Sequence, residues 1–123
     1  MFEIFKKKKI AADLSRIATD MHSHLLPGID DGSPDVETSV ALIRGMMELG
    51  YEKFITTPHI MWDMYQNTSE TIKAALAVLN GALKAEKIKV QVHAAAEYFL
   101  DDYFDQLLEE QTPLLTSIKT LFW

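Results

Sequence analysis

His22 and His24 stand two residues apart in T-D-M-H-S-H-L-L-P-G-I-D-D-G, residues 19–32. On an extended strand that spacing points both imidazoles to one face. Pro27-Gly28 then turns the chain, so Asp30 and Asp31 can fold back toward the rings. Two further candidates are His59, in T-T-P-H, and Glu97, in A-A-E-Y. Taken singly, each has an ordinary reading. H-x-H can be a solvated pair, D-D-G is a good turn, and His59 can be a loop histidine. Glu97 stands out at an otherwise apolar strand end, because glutamate is seldom buried unpaired. His93, in the same predicted strand, reads as structural. Taken together, all four places fall at or just past the carboxyl ends of predicted strands, where α/β folds place ligand residues. Imidazole and carboxylate without sulfur suit Mn, Fe or Zn, with Mg reachable through the carboxylates.

The elements that must position these residues are legible as alternating strands and helices. The spacing predicts a short helix over Ile10–Ile17 and a first strand over Ala18–His24, with a loop from Leu25 to Gly32. Helix one opens with Ser33 as N-cap and Pro34 at N1, with Asp35 and Glu37 in the first turn. Val36, Val40, Ile43 and Met47 form its apolar stripe, and Gly50 is placed as the C′ residue. Strand two is Lys53–Thr57, followed by a loop over Ile60–Asn67 rich in Met, Trp and Tyr. There Met61, Trp62 and Tyr65 can face an aromatic ligand or pack on the rim. Helix two runs from Thr68 to Glu86, with Ile72, Leu76, Leu79 and Leu83 inward and Asn67/Glu70 as an N-cap box. Strand three is Lys87–Glu97 by period-two alternation. Helix three, Asp101–Glu110, turns Tyr103, Phe104, Leu107 and Leu108 inward. The tail L-L-T-S-I-K-T-L-F-W reads as a possible fourth strand. Strands separated by helices call for a parallel sheet with helices outside.

Composition narrows the function classes. With 123 residues, 48% hydrophobic and 24% charged, the chain suits one small globular domain. The net charge of −6 includes the run Lys6-Lys7-Lys8-Lys9, so the body is more acidic still, which disfavours nucleic acid as a partner. The lysine run reads as a solvated basic arm, because four charges with little apolar support anchor weakly to a membrane. No apolar run reaches the ~18 residues of a membrane span, and the N-terminus lacks the layout of a secretory signal. With no cysteine, disulfides and thiolate metal sites are excluded, which is compatible with the cytoplasm, the expected location.

The blocks D-M-H-S-H-L-L-P-G-I-D-D-G, T-T-P-H and A-A-E-Y, in that order, resemble the polymerase-and-histidinol-phosphatase (PHP) superfamily of metal-dependent phosphoesterases. Within it they look most like the bacterial tyrosine-protein phosphatases encoded with capsule and exopolysaccharide genes, the CpsB/CapC-like branch. The resemblance covers about residues 19–115. It implies that His22 and His24 bind one metal, that Asp31 is a ligand on the other side of the cluster, that His59 is the ligand after strand two, and that Glu97 bridges two metals after strand three. Asp30 has no ligand counterpart. The implied cofactor is a divalent metal, foremost Mn, and the implied reaction is phosphate-monoester hydrolysis. The implied substrate is phosphotyrosine on the bacterial tyrosine kinase that controls polysaccharide export. Histidinol-phosphatase-like activity and a non-catalytic metal-binding fragment are the alternatives.

The resemblance also implies a partial (β/α) barrel of the PHP type, with about three βα units of a larger whole and a possible fourth strand. Residues 1–17 are then a basic arm, and residues 18–123 the N-terminal half of a truncated PHP domain. The glutamate after strand four, a later histidine with a phosphate-binding arginine, and a closing Asp-x-His have no counterpart here, so weak activity or none is expected. Half a barrel leaves open strand edges, through which a second copy can pair.

Overall fold

The computed structural model describes residues 12–117. The basic arm up to residue 11 and the final residues 118–123 of the expected fourth strand lie outside the described residues. The element order is β1 (Thr19–Asp20), α1 (Val36–Glu48), β2 (Lys53–Thr56), β3 (His59–Ile60), α2 (Ser69–Ala85), β4 (Val92–Ala94), β5 (Glu97–Tyr98) and α3 (Asp102–Glu109). Strands β1-β2-β4 form one sheet and β3-β5 a second. Every strand pairing is parallel. The fold is therefore mixed α/β with parallel strands, as the alternation implies. Parallel neighbours need a crossover, and α1 and α2 supply it.

Helix α1 packs on α2, and α2 on β4. Between them lies a core of Val40, Ile43, Ile72, Leu79 and Leu83 from the helices and Phe54 and Val92 from the sheet. Leu25 and Leu26, read as loop, are also buried there, which ties the histidine-bearing segment to the core. Each such side chain stabilises the fold by about 1.5–3 kcal/mol when fully buried.

The strands are shorter than the sequence predicts. Ala18 has φ 57°, so β1 starts after it. It ends at Asp20, whose carboxylate accepts the His22 backbone N–H at 3.4 Å and the Ser23 hydroxyl, bending the chain before His24. Strand two stops at Thr56 because Pro58 has no N–H to continue the ladder. Pairing resumes at His59, inside what reads as the start of a loop. Strand three is confined to β4 and β5. The register pairs Phe54 with Val92, so residues 87–90 run below the start of β2 without a partner strand. Asn80 of α2 closes the start of β4, accepting from Val92 N–H at 2.9 Å and donating to its carbonyl at 3.0 Å. At the break before β5, Ala96 N–H turns to the Leu115 carbonyl. The described part of the expected fourth strand forms no strand.

The helix ends also correct the sequence reading. Asp35, not Ser33, caps α1, accepting from Thr38 N–H at 2.7 Å. The Ser33 hydroxyl is instead buried against the Asp35 carbonyl and Ser39 Oγ. Met46 packs against the core and Met47 is exposed, because the inward stripe continues from Ile43 by three residues rather than four. Gly50 follows the C-cap Leu49 with φ 108°, as its C′ assignment requires. Thr68 and Thr71 form the capping box of α2 in place of Asn67 and Glu70. On α3, Leu108 is half exposed rather than inward. The described part of the helix predicted over Ile10–Ile17 is a turn at residues 15–17.

One buried side chain stitches the histidine segment to the sheet. Thr56 Oγ1 accepts from Leu25 N–H at 2.9 Å and donates to the Ser23 carbonyl at 2.8 Å. Thr56→Val keeps the shape and strands the Leu25 N–H, while the Ser23 carbonyl keeps the Thr57 N–H at 2.7 Å. Urea denaturation should show a loss of about 1–3 kcal/mol, largely recovered by Thr56→Ser.

Asp101 similarly ties α3 to the distant loop that follows β3. Its carboxylate accepts from Trp62 N–H at 3.0 Å and from Phe104 N–H at 2.9 Å. These bonds, Trp62 foremost, hold its carboxyl below the ordinary carboxylate range. A lowered folded-state value means that the tie stabilises above the unfolded carboxyl value and is lost as pH falls through the folded one. The backbone amide resonances of Trp62 and Phe104 should therefore titrate together, with a midpoint below about 3.9. Asp101→Asn should abolish that titration.

Candidate metal centre

Parallel pairing sets His59 and Glu97 side by side at the start of β3 and β5. The bend after β1 brings His22 and His24 to the same end of the sheet. Their rings are edge to face, with centroids 5.5 Å apart, and the His24 and His59 ring centroids are 4.5 Å apart. Strand extension is thus not what brings the first pair together; the Asp20 bend does so.

Three imidazoles converge on one oxygen. Glu97 Oε2 lies 3.3 Å from His24 Nε2, 3.4 Å from His59 Nδ1 and 3.8 Å from His22 Nε2. None of these contacts is a hydrogen bond, and among the described residues Glu97 Oε2 is the buried side-chain polar atom without a hydrogen-bond partner. A buried carboxylate oxygen is costly in that condition. A divalent cation shared with the facing nitrogens would satisfy it, so the donor set fits a metal. On the far side of His59, Nε2 lies 3.4 Å from Asp31 Oδ1. The ligand atoms fall into two overlapping groups, His22/His24/Glu97 and His24/Asp31/His59, each within 4.8 Å. All five residues singled out in the sequence therefore meet. His93 is exposed and belongs to neither group.

Asp30 is the residue that the sequence left without a role. It lies in the cluster yet in neither ligand group, and its side chain is 1% exposed, against 61% for Asp31. Burial pushes its carboxyl up, but hydrogen bonds from His24 and from the Gly32 and His59 backbone outweigh burial and hold it below the ordinary range. Two further residues take roles at the site other than those the sequence assigns them. Tyr65 stacks on His59 at 5.6 Å and 14°. Asn67 donates to the Ile29 and His59 carbonyls at 2.8 and 2.9 Å, holding the aspartate loop against β3. The buried Asn67 is a weak sequence signal for this; nothing in the spacing marks Tyr65. Of the loop aromatics weighed as ligand contacts, Tyr65 is thus committed to His59, and Trp62 stacks on Tyr103 at 4.0 Å.

A family model described as "Capsular polysaccharide synthesis, CpsB/CapC" matches residues 18–121. Tyrosine-protein phosphatase YwqE of Bacillus subtilis (strain 168) is 34% identical over 73 residues, spanning 59% of this chain and 29% of YwqE. Tyrosine-protein phosphatase CpsB of Streptococcus agalactiae is 25% identical over 101 residues, spanning 81% of this chain and 42% of CpsB. A solved structure superposes with a TM-score of 0.67 at 30% identity, covering 76% of this chain and 38% of the other. It comes from crystal structures of YwqE from Bacillus subtilis and CpsB from Streptococcus pneumoniae, described as unique metal-dependent tyrosine phosphatases. The chain thus spans well under half the length of these relatives.

The cluster depends on a close approach at Gly32. A Cβ there would lie 2.2 Å from the His24 carbonyl oxygen and 2.3 Å from its Cβ. Gly32→Ala should displace His24 and cost about 1–3 kcal/mol in urea denaturation. Gly45→Ala, where an added Cβ meets nothing within 4 Å on α1, should instead stabilise by about 0.5–1 kcal/mol.

Proposed function

Because the chain belongs to the CpsB/CapC family of capsular polysaccharide synthesis proteins, we propose that it carries part of the metal centre of a metal-dependent protein-tyrosine phosphatase. The observation that carries this reading is the convergence of three imidazole nitrogens on the unpartnered Glu97 Oε2. In this reading His22 and His24 would hold one metal, Asp31 would be a ligand on the other side of the cluster, His59 would be the ligand after strand two, and Glu97 would be the shared carboxylate. Manganese leads among Mn, Fe, Zn and Mg, all of which accept nitrogen and oxygen donors. The parallel units form the first part of a PHP-type (β/α) barrel, with residues 18–123 its N-terminal half and residues 1–17 a basic arm. The placement of every candidate ligand at or beyond a strand's carboxyl end supports this. A phosphotyrosine-bearing bacterial tyrosine kinase as substrate, and a cytoplasmic location, complete the reading.

A metal held by these residues would supply a water of lowered pKa and neutralise phosphate oxygens. The chain's own residues prepare the site. Glu97 sets one carboxylate oxygen among three imidazoles, and Tyr65 fixes the plane of the His59 ring. The exposed Asp31 leaves the outer side open to a phosphate monoester. Among the described residues, no lysine or arginine pairs with the carboxylates of the cluster. The sequence has two arginines, Arg16 and Arg44, and Arg44 pairs with Glu86 at 3.5 Å on the helical layer. That observation favours, as a second reading, a chain that binds metal with little turnover.

The test pairs elemental analysis with kinetics. The purified chain should retain Mn, and His24→Ala should lose it. Turnover of p-nitrophenyl phosphate and of a phosphotyrosine peptide should be at least about 100-fold below that of full-length YwqE, since no lysine or arginine among the described residues pairs with the cluster. Equal metal content in His24→Ala would sink the metal assignment. Turnover near that of YwqE would sink the second reading, and a preference for small phosphates over the peptide would point to histidinol-phosphatase-like chemistry.

A further inference from the structure

We propose that Asp30 is the positioning residue of this centre. Its buried carboxylate sets the His24 tautomer and locks the three ligand-bearing segments to one another. The proposal rests on the metal-centre reading in assigning a purpose to His24, but the lock itself is a property of the chain.

The geometry is specific. Asp30 Oδ2 is 2.8 Å from His24 Nδ1 and accepts the His59 backbone N–H at 3.1 Å, while Oδ1 accepts the Gly32 N–H at 2.9 Å. One side chain thus joins the H-x-H segment, the D-D-G turn and β3. Both oxygens are filled by donors and the group is 1% exposed, so Asp30 is spent within the protein rather than offered to a metal. An ionised carboxylate only accepts, so His24 Nδ1 must bear a proton. In neutral imidazole the lone pair then sits on Nε2, the atom 3.3 Å from Glu97 Oε2. Two lone pairs facing at that distance favour a cation between them. A carboxylate behind a ligating histidine fixes ring orientation and raises ligand basicity. This also explains why two adjacent aspartates are needed: one faces inward as the lock, the other outward at the ligand groups.

Asp30→Asn separates shape from chemistry. An amide offers one acceptor where the site needs two. If its oxygen serves Gly32, its NH₂ opposes His59 N–H and forces His24 Nδ1 to accept. If its oxygen serves His24 and His59, its NH₂ opposes Gly32 N–H. The first arrangement moves the proton to Nε2 and removes the ligand lone pair.

The experiment is ¹⁵N NMR of the metal-free imidazoles at about pH 9, above the ordinary imidazole range, together with Mn²⁺ titration calorimetry. Wild-type His24 should carry its proton on Nδ1. Asp30→Asn should lower the Nδ1-protonated fraction and weaken Mn²⁺ binding about 10–100-fold. Thr56→Val, which loosens the same segment without touching Asp30, should keep the Nδ1 proton. An unprotonated Nδ1 in the wild type overturns the proposal even if Asp30→Asn does not fold. So does an Asp30→Asn protein with wild-type tautomer and affinity. A wild-type chain with Nδ1 protonated but no Mn²⁺ binding would refute the metal reading and leave the lock standing.

Discussion

Parallel pairing is the constraint on which the rest of this structure depends. Strands β1, β2 and β4 run the same way, so their carboxyl ends lie along one edge. Side chains distant in sequence, His24, His59 and Glu97, meet there without any long-range loop. The helices satisfy the same constraint from behind. They carry the chain back to the opposite edge and bury Phe54 and Val92 as they do so. The apolar core and the polar cluster are thus two consequences of one arrangement.

The sheet is also interrupted where the site begins. Pro58 breaks the ladder between β2 and β3, and the Ala95-Ala96 step breaks it between β4 and β5. Pairing nevertheless resumes in register, with Glu97 N–H on the Pro58 carbonyl at 2.9 Å and Phe99 N–H on the Ile60 carbonyl at 2.9 Å. The kinked pair retains backbone hydrogen bonds while re-aiming His59 and Glu97. Local irregularity at the ligand-bearing end, above a regular sheet, is how a rigid scaffold presents functional groups.

Electrostatics give the cluster its direction. Asp30, Asp31 and Glu97 each set a carboxylate oxygen within 4 Å of an imidazole nitrogen. Asp30 is fully served by protein donors and Asp31 is largely in solvent, while Glu97 Oε2 is buried and unserved. The imbalance sits at the one carboxylate oxygen that three histidines share. A similar cluster on a flexible surface would relax it by turning Glu97 to water; here β5 pairing with β3 holds it in place.

Residue types and order alone determined the alternation of strands and helices and the five candidate ligands. Periodicity reports burial, and nitrogen and oxygen donors at strand ends report metal chemistry whatever the detailed path. Tertiary structure decided the rest. The reach of β4 was set by where β2 begins, which no local pattern in residues 87–90 contains. The cap of α1 fell to Asp35 because the Ser33 hydroxyl was taken up in the interior. Asp30 and Asp31 are indistinguishable as neighbours in a turn. Only the approach of Gly32 to His24 and the nearness of the His59 backbone turned one inward and left the other in solvent. Which of two identical side chains locks the site and which faces outward is a matter of long-range packing, and packing is not written in any short stretch of sequence.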